Sequence, residues 1–161
     1  MKLQPEVVSA SPTVSTSPAY TANDAVGGLM TFSVSNYMLQ QNSFEIRGGR
    51  ITDTSKQAAN INLVLFSDNP TNSTFTDNSA FAIANADLPL VMAVIQFTTH
   101  ASFNANSVSF VDSVSKFGFF KRLSSTSGAF YGAAYTTGTP TYAATSALTF
   151  SLDLMPSQYG S

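Results

Sequence analysis

The stretch Leu148-Thr149-Phe150-Ser151-Leu152-Asp153-Leu154, near the end of the chain, decides the fold class. Large apolar side chains alternate with polar ones along it, as in a β-strand with one face buried and the other in water. A helix would instead repeat its apolar residues every three or four positions. The stretch therefore predicts a strand of a sheet that covers a hydrophobic core.

Similar strand patterns recur through the rest of the chain. Met30, Phe32 and Val34 alternate with Thr and Ser, and a glycine pair, Gly48-Gly49, predicts a bulge or tight turn within a long strand. The other predicted strand segments are 44–51, 61–66, 92–97, 108–114, 117–123 and 129–135. About eight strands separated by turn residues predict an all-β fold, a β-sandwich or jelly roll.

Helical signals are few. Asp77 is a candidate N-cap for a short turn over residues 78–84. A second single turn is predicted after Asp87, where Pro89 suits a helix start.

The first 26 residues predict an extended N-terminal arm, followed by a sandwich domain over residues 27–161. Three prolines interrupt a Ser- and Thr-rich stretch that has no helical period. Two interpretations remain open: a loose terminus, or an arm that becomes ordered against a partner. The apolar side chains available for such a contact are Val7, Val8, Val14 and Tyr20.

Composition limits the function. The 161 residues suit one domain, and only 10% are charged, against about 25% in ordinary soluble domains. The net charge of −2 gives no basic excess for nucleic acid. The absence of cysteine excludes disulfides and thiolate zinc. No apolar run approaches the roughly 20 residues of a membrane span, and the first residues do not resemble a signal peptide, so synthesis in a cytoplasm is expected.

No catalytic, cofactor or metal site is predicted. His100 is the only histidine and has no G-x-S-x-G elbow beside it. The loop 67–78 is rich in oxygen ligands for calcium, but it lacks the spacing of a calcium loop, and Asx-turns explain the same residues. Tyr131, Tyr135 and Tyr142 could stack on sugars, or could pack within the protein.

Several long segments resemble structural proteins of tailed bacteriophages. The similar segments are 49–57, 60–70, 73–78, 131–134, 138–142 and 148–152. The resemblance extends from about Tyr20 to Met155 and leaves out residues 1–19. It is carried by whole segments, not by a short motif.

The resemblance implies a non-enzymatic capsid decoration, or cement, protein on the exterior of the virion, made in the cytoplasm of the bacterial host. Its implied partners are the major capsid protein, at capsomer junctions, and further copies of itself, with a trimer favoured over a dimer. A tail or fibre component that binds host glycans is the alternative. Low charge and abundant aromatics suit protein interfaces. Phenylalanines in loops, Phe75 and Phe103, join the arm residues as predicted partner contacts.

Overall fold

The computed structural model describes residues 4–40, 43–111, 120–121 and 128–156. The strands, in chain order, are β1 (Glu6–Ala10), β2 (Met30–Ser33), β3 (Ser43–Asp53), β4 (Ile61–Phe66), β5 (Val91–Phe97), β6 (Thr99–Ser102), β7 (Ser107–Val111), β8 (Phe120–Lys121), β9 (Ala129–Thr136) and β10 (Leu148–Pro156). A single α-helical turn, α1 (Asn36–Leu39), follows β2, and a 3₁₀ turn (Asn85–Leu90) precedes β5.

The strands form two antiparallel sheets. One has the order β1-β10-β3-β7-β6, with β8 pairing with the start of β3, and the other has the order β2-β9-β4-β5. The pairing is nested along the chain: β1 with β10, β2 with β9, β3 with β7 and β4 with β5. This is the order of a jelly roll, in which a long folded hairpin wraps into two sheets. The predicted all-β sandwich is confirmed.

The strand that decided the fold class lies inside the six-stranded sheet, between β1 and β3. Its four alternating apolar side chains are buried, as predicted, and Phe150 meets Phe97 of the other sheet edge to face at 6.3 Å. The two sheets therefore enclose one main core. Gly132 of β9 belongs to it, because a Cβ there would lie 2.9 Å from the ring of Phe32.

The predicted bulge lies in β3. Asp153 is opposite Gly48, but the next residue, Leu154, is opposite Ile46, so Arg47 is the extra residue on β3. The bulge allows an 11-residue strand to stay paired with β10 along its length.

The prediction of a separate arm over residues 1–26 is wrong for residues 4–26. Glu6–Ala10 form β1 and pair with β10, and the backbone N–H of Val14 donates to the carbonyl of Thr145. Val8, Val14 and Tyr20 are buried in the main core. Within β1 only Val8 is buried, and Val7 beside it is exposed, so the sequence of the strand has no alternating apolar pattern.

The helical predictions were only partly correct. Residues 78–84 form no helix, and the Asp77 carboxylate accepts hydrogen bonds from Tyr20, Ser15 and Gly27 instead of capping one. The turn at Pro89 exists, but it begins at residue 85 and includes Asp87. Helix α1 was not predicted; its N-cap is Ser35, whose hydroxyl accepts from the N–H of Met38.

The other strand predictions agree with β2, β4, β5, β7 and β9. Strand β6 was not predicted. Val114 and residues 117–119 and 122–123, which were included in two predicted strands, lie outside the described residues.

Candidate functional site: an apolar groove beside an edge strand

A second hydrophobic cluster covers the outer face of the four-stranded sheet. Val64 and Phe66 of β4 and Ala133 of β9 are buried although they face away from the main core. The connection between β4 and β5, residues 67–90, folds back over them and contributes Phe75, Phe81, Ile83 and Leu90. Strand β4 is therefore covered on both faces.

An aromatic row fastens this connection to the sheet. Phe66 contacts Phe75 at 5.8 Å between ring centroids, Phe75 stacks on Phe81 at 5.1 Å, and Phe81 contacts Tyr135 of β9 at 4.8 Å. Contacts at these distances contribute beyond the area that they bury. The row therefore holds the connection in one position over β4 and β9.

A buried carboxylate organises the same connection from within. Asp87 accepts hydrogen bonds from the backbone and side-chain amides of Asn72, at 3.0 and 2.9 Å, and from the Ser73 hydroxyl at 2.6 Å. Burial opposes ionisation of Asp87, but these hydrogen bonds outweigh it and hold the pKa of the carboxyl below its ordinary value. Asp87 therefore stabilises the conformation of the connection between β4 and β5.

An apolar groove of about 600 Å³ remains between this connection and β5. We call it the outer groove; its main lining residues are Val64, Phe81, Ile83, Leu88, Val94 and Tyr135. Leu88 is 51% exposed and Val94 is 47% exposed, which is high for large aliphatic side chains. None of the described residues that line the groove is charged. The arrangement suits an apolar contact with another macromolecule.

The six residues that were predicted to contact a partner lie in different parts of the molecule. Val8, Val14 and Tyr20 lie in the protein's own core, so the prediction that they contact a partner is wrong. Val7 lies on the outer side of β1 and is exposed, as is Phe103 in the turn between β6 and β7. Phe75 is half-buried in the aromatic row.

Sequence reasoning missed the outer groove, although one signal could have found it. The run Ile61-Asn62-Leu63-Val64-Leu65-Phe66 is apolar on both faces, and such a strand needs cover on both sides. The signal does not say which segment supplies the cover.

His100 belongs to β6 and joins the two sheets. Its Nδ1 lies 2.6 Å from the hydroxyl of Ser109 on β7, and its Nε2 lies 2.8 Å from the side-chain oxygen of Asn60, just before β4. Burial lowers the pKa of His100. Ser109 is buried, so its hydroxyl is closed to a substrate even though the ring is in contact with it. His100 and Asn60 also line a polar cleft of about 340 Å³.

The remaining candidates are three tyrosines and the acidic residues of the loop 67–78. Tyr142 lies in the main core, so of its two interpretations the structure confirms packing within the protein. Tyr131 and Tyr135 are half-buried on β9. In the loop 67–78, Asp77 points inward, and Asp68 accepts from the N–H of Asn69. Within the described parts of the chain, no three His, Cys, Asp or Glu side chains come together as a metal-binding group.

No protein-family model matches the chain, and no curated protein sequence matches it. No helix among the described residues has the length and apolar character needed to cross a membrane.

Proposed function

We propose that this protein is a non-enzymatic structural protein of a tailed-bacteriophage virion, which decorates the capsid by binding the major capsid protein at capsomer junctions. It acts as a homo-oligomer on the capsid exterior, after synthesis in the cytoplasm of the host. It acts by binding other proteins through its surface.

The outer groove is the observation that supports this proposal most directly. It exposes Val94 of β5 and Leu88 of the preceding 3₁₀ turn, beside a sheet whose other face packs on the main core. A rigid, uncharged, apolar surface on a small domain suits association with another protein, because interface cores are poor in Lys, Glu and Asp. Many weak contacts of this kind, repeated over a shell, give tight overall attachment through avidity.

The use of the carboxylates supports a non-enzymatic role. Asp53 and Asp87 accept several hydrogen bonds from residues of their own loops. Asp77 accepts hydrogen bonds from the N-terminal segment, at Ser15, Tyr20 and Gly27. These hydrogen bonds give the three carboxylates structural roles. The one histidine contacts a serine that is buried.

The capsid assignment rests on the sequence resemblance of residues 20–155 to phage structural proteins. The jelly-roll order is compatible with that resemblance, but a jelly roll serves many functions and does not select this one. The groove therefore supports assembly in general, and the resemblance supports the particular assembly.

Location in the intact virion tests the proposal. Electron microscopy of virions of the encoding phage is expected to show the domain on the outside of the shell, and mass spectrometry is expected to find it in near-stoichiometric ratio to the shell protein. A gold-labelled antibody that marks only the tail tip would refute the decoration role and favour the glycan-binding alternative. Absence from purified virions would refute both.

A matched pair of variants then identifies the surface that meets the shell. Leu88→Gln changes the outer groove, and Phe103→Gln changes the turn between β6 and β7; the two side chains are exposed to similar extents. If neither substitution reduces the amount of protein bound to decoration-free capsids, both surfaces are excluded as the shell contact.

A further inference from the structure

Strand β5 is an edge of the four-stranded sheet. Among the described residues it pairs only with β4. In an antiparallel strand, alternate residues direct their N–H and C=O groups away from the neighbouring strand. The free side of β5 therefore presents a row of donors and acceptors whose spacing fits another extended strand.

The sequence of β5 does not protect this edge. Natural edge strands are blunted by lysine, proline, short length or bulges. Val91–Phe97 is seven residues long and contains no charged residue and no proline. Its one irregularity leaves Met92 unpaired near the start, and residues 93–97 continue opposite β4 in regular register.

The exposed apolar surface is continuous with the same edge. Val94 is opposite Val64, so both side chains lie on the outer face of the sheet. Val94 and Leu88 line the outer groove next to the free side of β5. A strand that pairs with β5 would therefore cover Val94 and bring its own side chains over the groove.

We propose that the occupant of this edge is β5 of a second copy of the chain, paired antiparallel around a two-fold axis. The two four-stranded sheets then form one eight-stranded sheet. Because the axis is perpendicular to the sheet, the outer grooves of both copies face the same way, and their Val94 and Leu88 side chains line one apolar strip.

Charge and symmetry favour a second copy over another strand. An uncharged β5 meets an identical uncharged β5, so no like charges oppose each other and no charge is buried. The contact uses the same edge of both copies and is closed. Pairing of β5 with the opposite edge of the sheet, β2, would leave one edge free at each end and continue into an open polymer.

Pairing through β5 is the contact between copies in the proposed homo-oligomer. It rests on the proposed function only for its biological purpose. It gives a two-fold pair, whereas the sequence resemblance favoured a trimer. The mass of the purified protein tests the pairing without any capsid.

Analytical ultracentrifugation of the full chain at about 1–100 μM is expected to show a dimer. Val94→Lys places like charges beside the two-fold axis and is expected to raise the dimer dissociation constant at least tenfold. Val7→Lys is the matched control, since Val7 is a 55% exposed valine on β1, an edge strand of the other sheet. It is expected to leave the dissociation constant unchanged. Circular dichroism is used to check that each variant is folded.

A cross-linking measurement gives a second readout. The natural chain has no cysteine, so Val94→Cys and Val7→Cys each introduce one thiol. A short bis-maleimide is expected to join Val94→Cys into a covalent dimer and to leave Val7→Cys monomeric.

Several results would overturn the pairing: a monomer over the whole concentration range, a trimer that survives Val94→Lys, or cross-linking through residue 7 alone. A monomer whose binding to capsids is lost in Val94→Lys would also overturn it, and would assign the edge to the shell protein. A dimer that is absent from virions would leave the pairing intact and refute the decoration role.

Discussion

Tyr20 and Tyr142 meet edge to face in the core, with ring centroids 5.6 Å apart and ring planes at 75°, but their hydroxyl groups differ. The Tyr20 hydroxyl donates to Asp77 at 2.6 Å and accepts from the N–H of Ser15 at 2.8 Å. The Tyr142 hydroxyl is buried and has no hydrogen-bond partner within the described residues. The two hydroxyl groups are therefore expected to contribute differently to stability.

Removing the two hydroxyl groups one at a time tests this difference. Tyr20→Phe removes a hydrogen bond to the ionised carboxylate of Asp77, which keeps its hydrogen bonds from Ser15 and Gly27. It is expected to lower the free energy of unfolding by about 1–3 kcal/mol. Tyr142→Phe removes a hydroxyl that is buried without a partner and is expected to change the free energy by less than about 0.5 kcal/mol or to raise it. Urea denaturation measures both. Equal losses would mean that Tyr142 is hydrogen-bonded.

Alkaline pH should destabilise the protein through the same pair. Burial, followed by the hydrogen bond to Asp77, raises the pKa of Tyr20, and burial, followed by the charge of Asp53, raises the pKa of Tyr142. A pKa that is raised in the folded state favours folding fully below the unfolded value of about 10, and the contribution is lost as the pH rises above that value. Thermal melts from pH 8 to 11 are expected to show a falling melting temperature above pH 10. A smaller fall in the Tyr20→Phe variant would assign part of the effect to Tyr20.

The N-terminal segment should behave as part of the domain. Val14 is 1% exposed and Val7 is 55% exposed. Val14→Ala is therefore expected to lower the free energy of unfolding by about 1.5–3 kcal/mol, and Val7→Ala by less than about 0.5 kcal/mol. Deletion of residues 1–19 removes β1 and both valines and is expected to cause unfolding or aggregation. A truncated chain as stable as the full chain would restore the arm interpretation.

The sequence predicted the strands whose own pattern alternates or is continuously apolar. Strands β2 and β10 bury alternate apolar side chains, and β4 is buried on both faces, so their sequences have such patterns. Strand β6, Thr99–Ser102, is short and largely exposed, so it carries no apolar period. Strand β1 is defined by pairing with residues about 140 positions later in the chain, and no local pattern encodes that distance.

The candidate site was less predictable than the fold. Phe75 was predicted to contact a partner, but its ring contacts in the structure are with Phe66 of β4 and with Phe81 in the later part of the connection. Exposure of Leu88 and Val94 depends on where that connection comes to rest on the sheet. Hydrophobic side chains in a sequence do not reveal which of them a loop will leave uncovered.

The aromatic row should stabilise the connection over residues 67–90 without stabilising the whole fold. Phe81 contacts both Phe75 and Tyr135, so Phe81→Ala interrupts the row. Faster hydrogen exchange is expected for amides of residues 67–90, with the amides of β10 unchanged, because the connection can open locally. Phe103→Ala, at an exposed turn, is the control and should leave both regions unchanged. Uniformly faster exchange would show that the connection and the core open together.

The single histidine gives a direct measurement of the junction between the sheets. Burial lowers the pKa of His100, so an NMR titration of its ring protons is expected to have a midpoint below the ordinary value of about 6.5. The unfolded chain then takes up the proton first, so stability is fully present above about pH 6.5 and falls as the pH drops below it. His100→Asn should remove this step from the pH dependence of the urea midpoint. A midpoint at or above 6.5 would show that Ser109 and Asn60 favour the protonated ring, and stability would then rise on acidification through this range.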